Sequence, residues 1–499
     1  LTSNFDLTRR ELLSLAGGVA AAAFGTGCAP ATGAGADLGL ADPLPFSSTR
    51  ALAAAIAKRS VSSEEVVRAC LDRIAAVNPK LNAVVALDAD RALERARALD
   101  ADRANGTVRG PLHGVPMTIK DSLDTAGIVT TGGTLGRKSF VPAVDATVVD
   151  RLKQAGAIVL GKTNTPELTL SFETTNLIYG KTSNPYDLGR TPGGSSGGAA
   201  AIVAAGGAPF DIGSDYGGSI RQPSHFCGVA GIKPTAGRVP RTGHVYPYGG
   251  IQDSFQQIGP IARTVDDLTL ILPIIMGPDF ADPGVVAQPW SDPARTTIAG
   301  LRVAYHTDNG IATPTPEIVS TVAAVAASLE SAKAVVSEAR PNGVERAMDV
   351  GLPLYFWDGG AAIRRLLEAA GTTETTLGGF TTGTAATATQ VEAQVHALDQ
   401  WRIGMLRFFR DYDVILCPVA AVPALPHGQA GATEAFPGFS YTFTYNMTGW
   451  PAAVVRAGTA PGGLPIGVQI VAHPGREDVA LAVAKLIEAG HGGYQRPTL

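Results

Sequence analysis

Residues 191–223 read TPGGSSGGAAAIVAAGGAPFDIGSDYGGSIRQP. Two Gly/Ser nests, Gly193-Gly194-Ser195-Ser196-Gly197-Gly198 and Gly217-Gly218-Ser219, bracket an alanine-rich segment of good helix formers. Glycines packed this tightly around serines admit backbone conformations that a side chain resists, and they let a substrate come close to main-chain N–H groups. An oxyanion hole is built in this way.

Two other readings compete for the same stretch. Gly/Ser clusters are commonly flexible linkers, but here they flank residues 199–205 and lead into Ser219-Ile220-Arg221-Gln222-Pro223, which is not linker composition. Residues 193–197 also satisfy G-x-S-x-G, the nucleophile elbow, which needs a strand running directly into the serine. The residues before Ser195, SNPYDLGRTP at 183–192, are turn chemistry and argue against an elbow.

The stretch resembles the signature of the amidase signature family of serine hydrolases, which use a Ser–Ser–Lys triad without histidine. The resemblance implies that Ser219 is the nucleophile, that Ser195 follows a cis peptide and relays a proton, and that Lys120 is the base. Lys120 closes the segment Gly114-Val115-Pro116-Met117-Thr118-Ile119-Lys120-Asp121, in which residues 115–119 read as a short buried strand. Lys162, in Gly161-Lys162-Thr163-Asn164, is the rival base; the resemblance assigns residues 161–167 to a structural motif near the site. The family fold is α/β, a large mixed β-sheet core covered by helices on both faces. Further family-like segments are residues 226–235, 259–264, 445–451 and 463–470, the last two similar to the family's C-terminal strands.

A serine hydroxyl needs a base in contact, and a lysine of ordinary pKa, about 10.4, is protonated at neutral pH. Lys120 must therefore be desolvated or held near positive charge, and the end of an apolar strand offers the first. Ser195 then takes the proton of Ser219 while giving its own to Lys120. The tetrahedral oxyanion falls to the backbone N–H groups of Tyr216, Gly217, Gly218 and Ser219. Asp215 and Arg221 are placed to hold this loop in shape, and Ser196 to hydrogen-bond within the triad. His113 and His225 are the histidines nearest the motifs; a structural role is the simpler account of each.

The chain has 499 residues, 45% hydrophobic and 17% charged, and a net charge of −4. That is enough for a large core and gives no basic footprint for nucleic acid. The expected partner is a small-molecule or peptide amide; a homodimer stays open. No H-E-x-x-H-type cluster is present, so neither metal nor cofactor is implied. Cys28, Cys70, Cys227 and Cys417 form no CxxC pair, and buried free thiols are the default.

Thr8-Arg9-Arg10-Glu11-Leu12-Leu13 resembles a twin-arginine export motif, and the apolar residues 12–27 are shorter than the roughly 20 needed to span a bilayer. Residues 1–36 are read as export signal and linker, and residues 37–499 as the amidase domain. Two outcomes stay open, lipid attachment at Cys28 with membrane anchoring, or cleavage after Ala34-Gly35-Ala36.

Ser62 with Glu65 predicts a capped helix that stops near Asn78-Pro79. Strands are expected at 81–87, 158–160 and 301–305, and helices at 89–102, 146–154, 266–275, 315–332 and 392–412. Residues 168–185 read as loop that could line the cleft, and residues 339–385 depart most from the family. Phe356, Trp357, Tyr445, Met447 and Trp450 hint at an aryl-accepting cleft. The function expected is an exported amidohydrolase cleaving a carboxamide, ester or carbamate through an acyl-enzyme on Ser219. The alternatives are the glutaminase component of an amidotransferase and a non-enzymatic solute-binding lipoprotein.

Overall fold

A computed structural model describes residues 40–247 and 249–499. The export motif, Cys28 and the cleavage option at 34–36 lie outside these residues. The strands in chain order are β1 (Val84–Leu87), β2 (Pro116–Lys120), β3 (Ile158–Thr163), β4 (Thr175–Asn176), β5 (Gly180–Lys181), β6 (Phe210–Asp215), β7 (Ala230–Lys233), β8 (Gln257–Ala262), β9 (Arg302–Tyr305), β10 (Val335–Glu338), β11 (Val414–Pro418), β12 (Ala452–Thr459) and β13 (Pro465–Ala472). Eleven of them form one sheet in the order β1-β3-β2-β6-β8-β7-β12-β13-β11-β9-β10. The sheet is mixed: β3, β2 and β6 run parallel, as do β11, β9 and β10, and the remaining pairs are antiparallel. The other two strands form a small hairpin inside residues 168–185, the segment read as loop.

Strands buried on both faces need helices on both sides. Every residue of β2, β3, β6 and β13 is buried. Met117, Ile119, Val159, Phe210 and Ile212 join one apolar cluster with helices Thr49–Ala57, Thr147–Gln154, Val265–Ile275, Pro316–Ser331 and Glu477–His491. Ile158 and Leu160 join another with helices Ser63–Leu81, Ala89–Ala104 and Gly197–Ala204. The alternation along β3 separates the two faces, which is the layered α/β architecture expected.

The capping box of Ser62 and Glu65 is present. The helix ends at Leu81, close to the expected stop near Asn78-Pro79, with Pro79 inside its last turn. Asn82, left-handed at φ 50°, ends it with its N–H on the Asn78 carbonyl at 2.7 Å. A difference from the expected strands concerns residues 445–451. Tyr445 to Met447 finish the helix Ser440–Met447, and the strand begins only at Ala452, after the turn at Gly449. Among the described residues no helix is long and apolar enough to cross a membrane, and Cys70, Cys227 and Cys417 are buried and unpaired.

Candidate active site

Strands β2 and β6 are parallel neighbours in the register Thr118↔Asp211 and Ile119↔Ile212. Their carboxyl ends, where open α/β sheets place their sites, therefore emerge together and bring Lys120 beside Ser214 and Asp215. The Gly/Ser stretch is a buried turn followed by a helix: Ser196 precedes the helix Gly197–Ala204, and Ser195 and Ser196 are buried. Gly193 has φ 85°, the Gly194–Ser195 peptide is cis, and a Cβ on Gly194 would lie 2.6 Å from the Ser171 carbonyl oxygen. Thr174 pins the turn, its Oγ1 donating to the Gly193 carbonyl at 2.8 Å and accepting from the Gly197 N–H at 3.1 Å. Residues 168–185 thus shape the site.

Lys120 is wholly buried, and its Nζ lies 2.6 Å from Ser195 Oγ and 2.9 Å from Ser214 Oγ. Burial lowers its pKa from 10.5 to about 7, against the opposing pull of Asp215 and Asp211. The N–H of Ser196 donates to the carbonyl of Ser219 at 3.2 Å, which seats the two Gly/Ser nests against each other. Ser219 itself is 5% exposed. The structure thus sets Lys120 on Ser195 and seats the loop that carries Ser219 against the turn that carries Ser195.

Lys162 does not share this site. Lys162 stands in register with Ile119, on the sheet face opposite Lys120. Its Nζ donates to the Leu123 carbonyl and, at 2.7 Å, to Thr125 Oγ1.

Asp215 and Arg221 form a wholly buried ion pair, with Arg221 Nη2 2.9 Å and Nε 3.0 Å from the two carboxylate oxygens. Burial pushes the Asp215 pKa up, but the charge and hydrogen bonds of Arg221, aided by Lys233 and Asn446, outweigh it and hold the carboxyl below its usual range. Its oxygens accept from the N–H groups of Gly218 at 2.9 Å and Ile220 at 3.1 Å. Arg221 also donates to the Thr442 carbonyl and to Gln469, so this pair fixes the loop at 217–219 to the helix Ser440–Met447 and to β13.

The four expected oxyanion donors are therefore not equivalent. The Gly218 N–H is engaged by Asp215, whereas those of Tyr216, Gly217 and Ser219 have no acceptor among the described residues. The expectation for Ser196 also changes. Its hydroxyl donates to the Ser214 carbonyl at 3.3 Å, and its contact with Ser219 runs through its backbone N–H.

His113 and His225 are both tied to backbone. His113 Nε2 lies 3.1 Å from the Leu99 carbonyl and its Nδ1 accepts from the Arg109 N–H. His225 accepts from the Gly467 N–H at 2.7 Å, and burial lowers its pKa to about 4. A third histidine, not singled out from sequence, is closer to the chemistry: His244 Nε2 is 2.9 Å from Ser214 Oγ. Its Nδ1 lies 2.9 Å from Gln256 Nε2, 3.1 Å from the Tyr246 N and 3.0 Å from the Tyr246 carbonyl oxygen. Burial, then the Lys120 charge, lower its pKa to about 3, so it stays neutral.

Asn446, which bonds Asp215 Oδ1 at 2.7 Å, and Gln469 lie in C-terminal segments whose family likeness marked them; Ser214, His244 and Thr442 carried no comparable signal. Of the aromatic hints, Tyr445, Met447 and Trp450 are core residues, while Trp357 lines a groove of about 620 Å³ with Ile251, Val391 and Val395. Among the described residues no group of His, Cys, Asp and Glu could hold a metal ion.

The Amidase family model matches residues 65–481. The chain is 36% identical over 473 residues to an acylamidase of Rhodococcus erythropolis, covering 89% of this chain and 96% of that protein. It is 34% identical over 481 residues to a glutamyl-tRNA(Gln) amidotransferase component of Heliobacterium modesticaldum, covering 88% and 96%. Among solved structures, 6-aminohexanoate cyclic dimer hydrolase complexed with substrate superposes with a TM-score of 0.81 at 28% identity, covering 91% of this chain and 99% of that one. The likeness spans the whole layered fold, and the chain belongs to the amidase signature family, hydrolases acting on amide bonds.

Proposed function

We propose that this protein cleaves a carboxamide through an acyl-enzyme on Ser219, with Ser195 as proton relay and Lys120 as base. The carrying observation is the 2.6 Å contact between Lys120 Nζ and Ser195 Oγ, made by a lysine whose pKa burial brings to about 7. Near neutral pH a large fraction of Lys120 is then neutral and takes the Ser195 proton as Ser195 takes that of Ser219. The carbonyl carbon bonds to Ser219 Oγ, and its oxygen gathers charge facing the free N–H groups of Tyr216, Gly217 and Ser219. The proton returns through Ser195 to the departing amine. Water repeats the sequence on the ester, releasing the acid. Esters and carbamates react by the same steps where the pocket admits them.

The twin-arginine-like N-terminus supports export as part of this reading, either anchored through Cys28 or soluble after cleavage; fractionating expressing cells tests it. A homodimer is checked by light scattering. A second reading, the glutaminase of an amidotransferase, is favoured by relatives at 34–36% identity over nearly the whole chain. Free glutamine hydrolysis, compared with that of aryl anilides, separates the two. Family membership replaces the solute-binding alternative.

The test of the mechanism is labelling with a fluorophosphonate followed by peptide mapping. Label on Ser219 is expected, and Ser219→Ala should abolish both label and turnover. Label on Ser195, with turnover kept in Ser219→Ala, would refute the assignment.

A further inference from the structure

An oxyanion hole works only if its N–H groups already point at the place where charge will develop. A peptide is planar and trans, so its N–H direction is set by whatever holds the carbonyl on the opposite side. Between residues 215 and 220 each carbonyl is held from outside the loop or by the following helix. The Asp215 carbonyl accepts from Asn446 Nδ2 at 3.3 Å, that of Gly217 from Thr442 Oγ1 at 2.9 Å, that of Gly218 from the Gln222 N–H at 2.7 Å, and that of Ser219 from the Ser196 N–H at 3.2 Å. The remaining carbonyl, Tyr216, accepts from the hydroxyl of Tyr355.

Tyr355 is the last residue of the helix Ala347–Tyr355, within residues 339–385, the stretch read from sequence as departing most from the family. Its ring packs against Tyr216 at 4.6 Å between centroids, Phe443 at 4.7 Å and Phe255 at 5.1 Å. Gln252 closes the arrangement, since its Oε1 accepts from the Tyr216 hydroxyl while its Nε2 donates to the Leu354 carbonyl at 2.6 Å and the Tyr355 carbonyl at 3.0 Å. The Tyr216–Gly217 peptide is thereby clamped through its carbonyl and through the Tyr216 side chain, and its N–H, on Gly217, is left without an acceptor among the described residues.

We infer that Tyr355 is a positioning residue of the reaction: its hydroxyl fixes the Tyr216–Gly217 peptide so that the Gly217 N–H faces the developing oxyanion. The inference rests on the acyl-enzyme reading given above. A group that acts this way matters in the transition state and little in the bound substrate, so its loss belongs in kcat.

The test is Tyr355→Phe, which removes the hydroxyl and keeps the ring packing, with butyryl-p-nitroanilide as substrate and a propyl trifluoromethyl ketone as the tetrahedral mimic. Outright loss of one oxyanion donor costs about 10²–10³ in kcat, and loosening one is expected to cost about tenfold. KM should stay within about twofold, and the ketone should bind weaker by the factor lost from kcat. Thermal melting by circular dichroism, with rates taken well below the transition, separates this from unfolding. Unchanged kcat and ketone affinity would overturn the inference, as would a loss confined to KM, which would mean that Tyr355 touches substrate. Ser219→Ala is run alongside: if it turns over the anilide at the parent rate, the nucleophile assignment falls, whatever Tyr355→Phe does.

Discussion

A lysine kept neutral by burial must weigh on the stability of the fold, and Lys120→Met measures by how much. Methionine keeps the straight apolar stem and removes the titrating group. With a pKa of about 7 folded and 10.5 as the unperturbed value, Lys120 destabilises the native state by about 5 kcal/mol at pH below 7, at about 1.4 kcal/mol per pKa unit. The sign follows from proton counting. Between pH 7 and 10.5 the unfolded chain holds the proton and the native protein has released it, so the parent gains stability as pH rises and the penalty fades. Against this, the variant forfeits the contacts with Ser195 and Ser214, about 1 kcal/mol each. Lys120→Met should therefore be inactive yet more stable than the parent by about 2 kcal/mol near pH 7. In a folded unit this long, that is a melting shift of about 2 °C. Urea unfolding followed by tryptophan fluorescence at pH 6, 7.5 and 10 reads it, and the advantage should shrink or reverse by pH 10. A variant less stable than the parent at pH 6, or a difference that ignores pH, would mean that Lys120 is a fully charged partner of Asp211 and Asp215, and the reasoning would fail.

The same pKa predicts that kcat/KM for an anilide rises with pH along one limb centred near 7; a limb centred above 9 would show an ordinary lysine. Asp215→Asn leaves the buried Arg221 without its countercharge and cannot accept from all of Gly218, Ile220 and Arg221. Breaking such a pair costs about 3–5 kcal/mol, so melting should fall by several degrees and fluorophosphonate labelling of Ser219 should slow sharply. A variant that melts and labels like the parent would remove Asp215 from its place as the loop's anchor.

What could be read in the sequence was local. Lys120, Ser195 and Ser219 stand in motifs whose glycines have a backbone reason to be there, and Asp215 and Arg221 lie within a few residues of Ser219. What could not be read arrives from far along the chain. His244 sits in the aperiodic stretch RTGHVYP at 241–247 and touches Ser214 across the chain fold. Tyr355 comes from a helix in the divergent stretch, where no pattern announces a hydroxyl aimed at a carbonyl 139 residues earlier. The aromatic hint misled at Tyr445, Met447 and Trp450 because burial in the core and lining of a cleft draw on the same residue types.

The electrostatics of the base follow from strand alternation. In MTIK of β2 and FDIGSD of β6, Met117, Ile119, Phe210 and Ile212 face one apolar cluster, which sends Thr118, Lys120, Asp211 and Gly213 to the other face. Thr118 stands opposite Asp211 and donates to it at 2.6 Å, as Thr163 does at 3.0 Å. Burial raises the Asp211 pKa to about 6 in spite of these bonds. Gly213 then stands level with Lys120, and a Cβ there would come within 2.8 Å of Ser196 Oγ, so the missing side chain is what lets the Gly/Ser turn settle against the strand and present Ser195 to the lysine. Asp215, the next carboxylate along β6, is matched by Arg221 and so pulls less on Lys120 than an unpaired one would. Two carboxylates on one strand thus leave the lysine without a dedicated counterion: one is committed to an arginine, and the other is held by two threonine hydroxyls. Burial wins over both attractions, and Lys120 is a neutral amine where an ordinary lysine would still be charged.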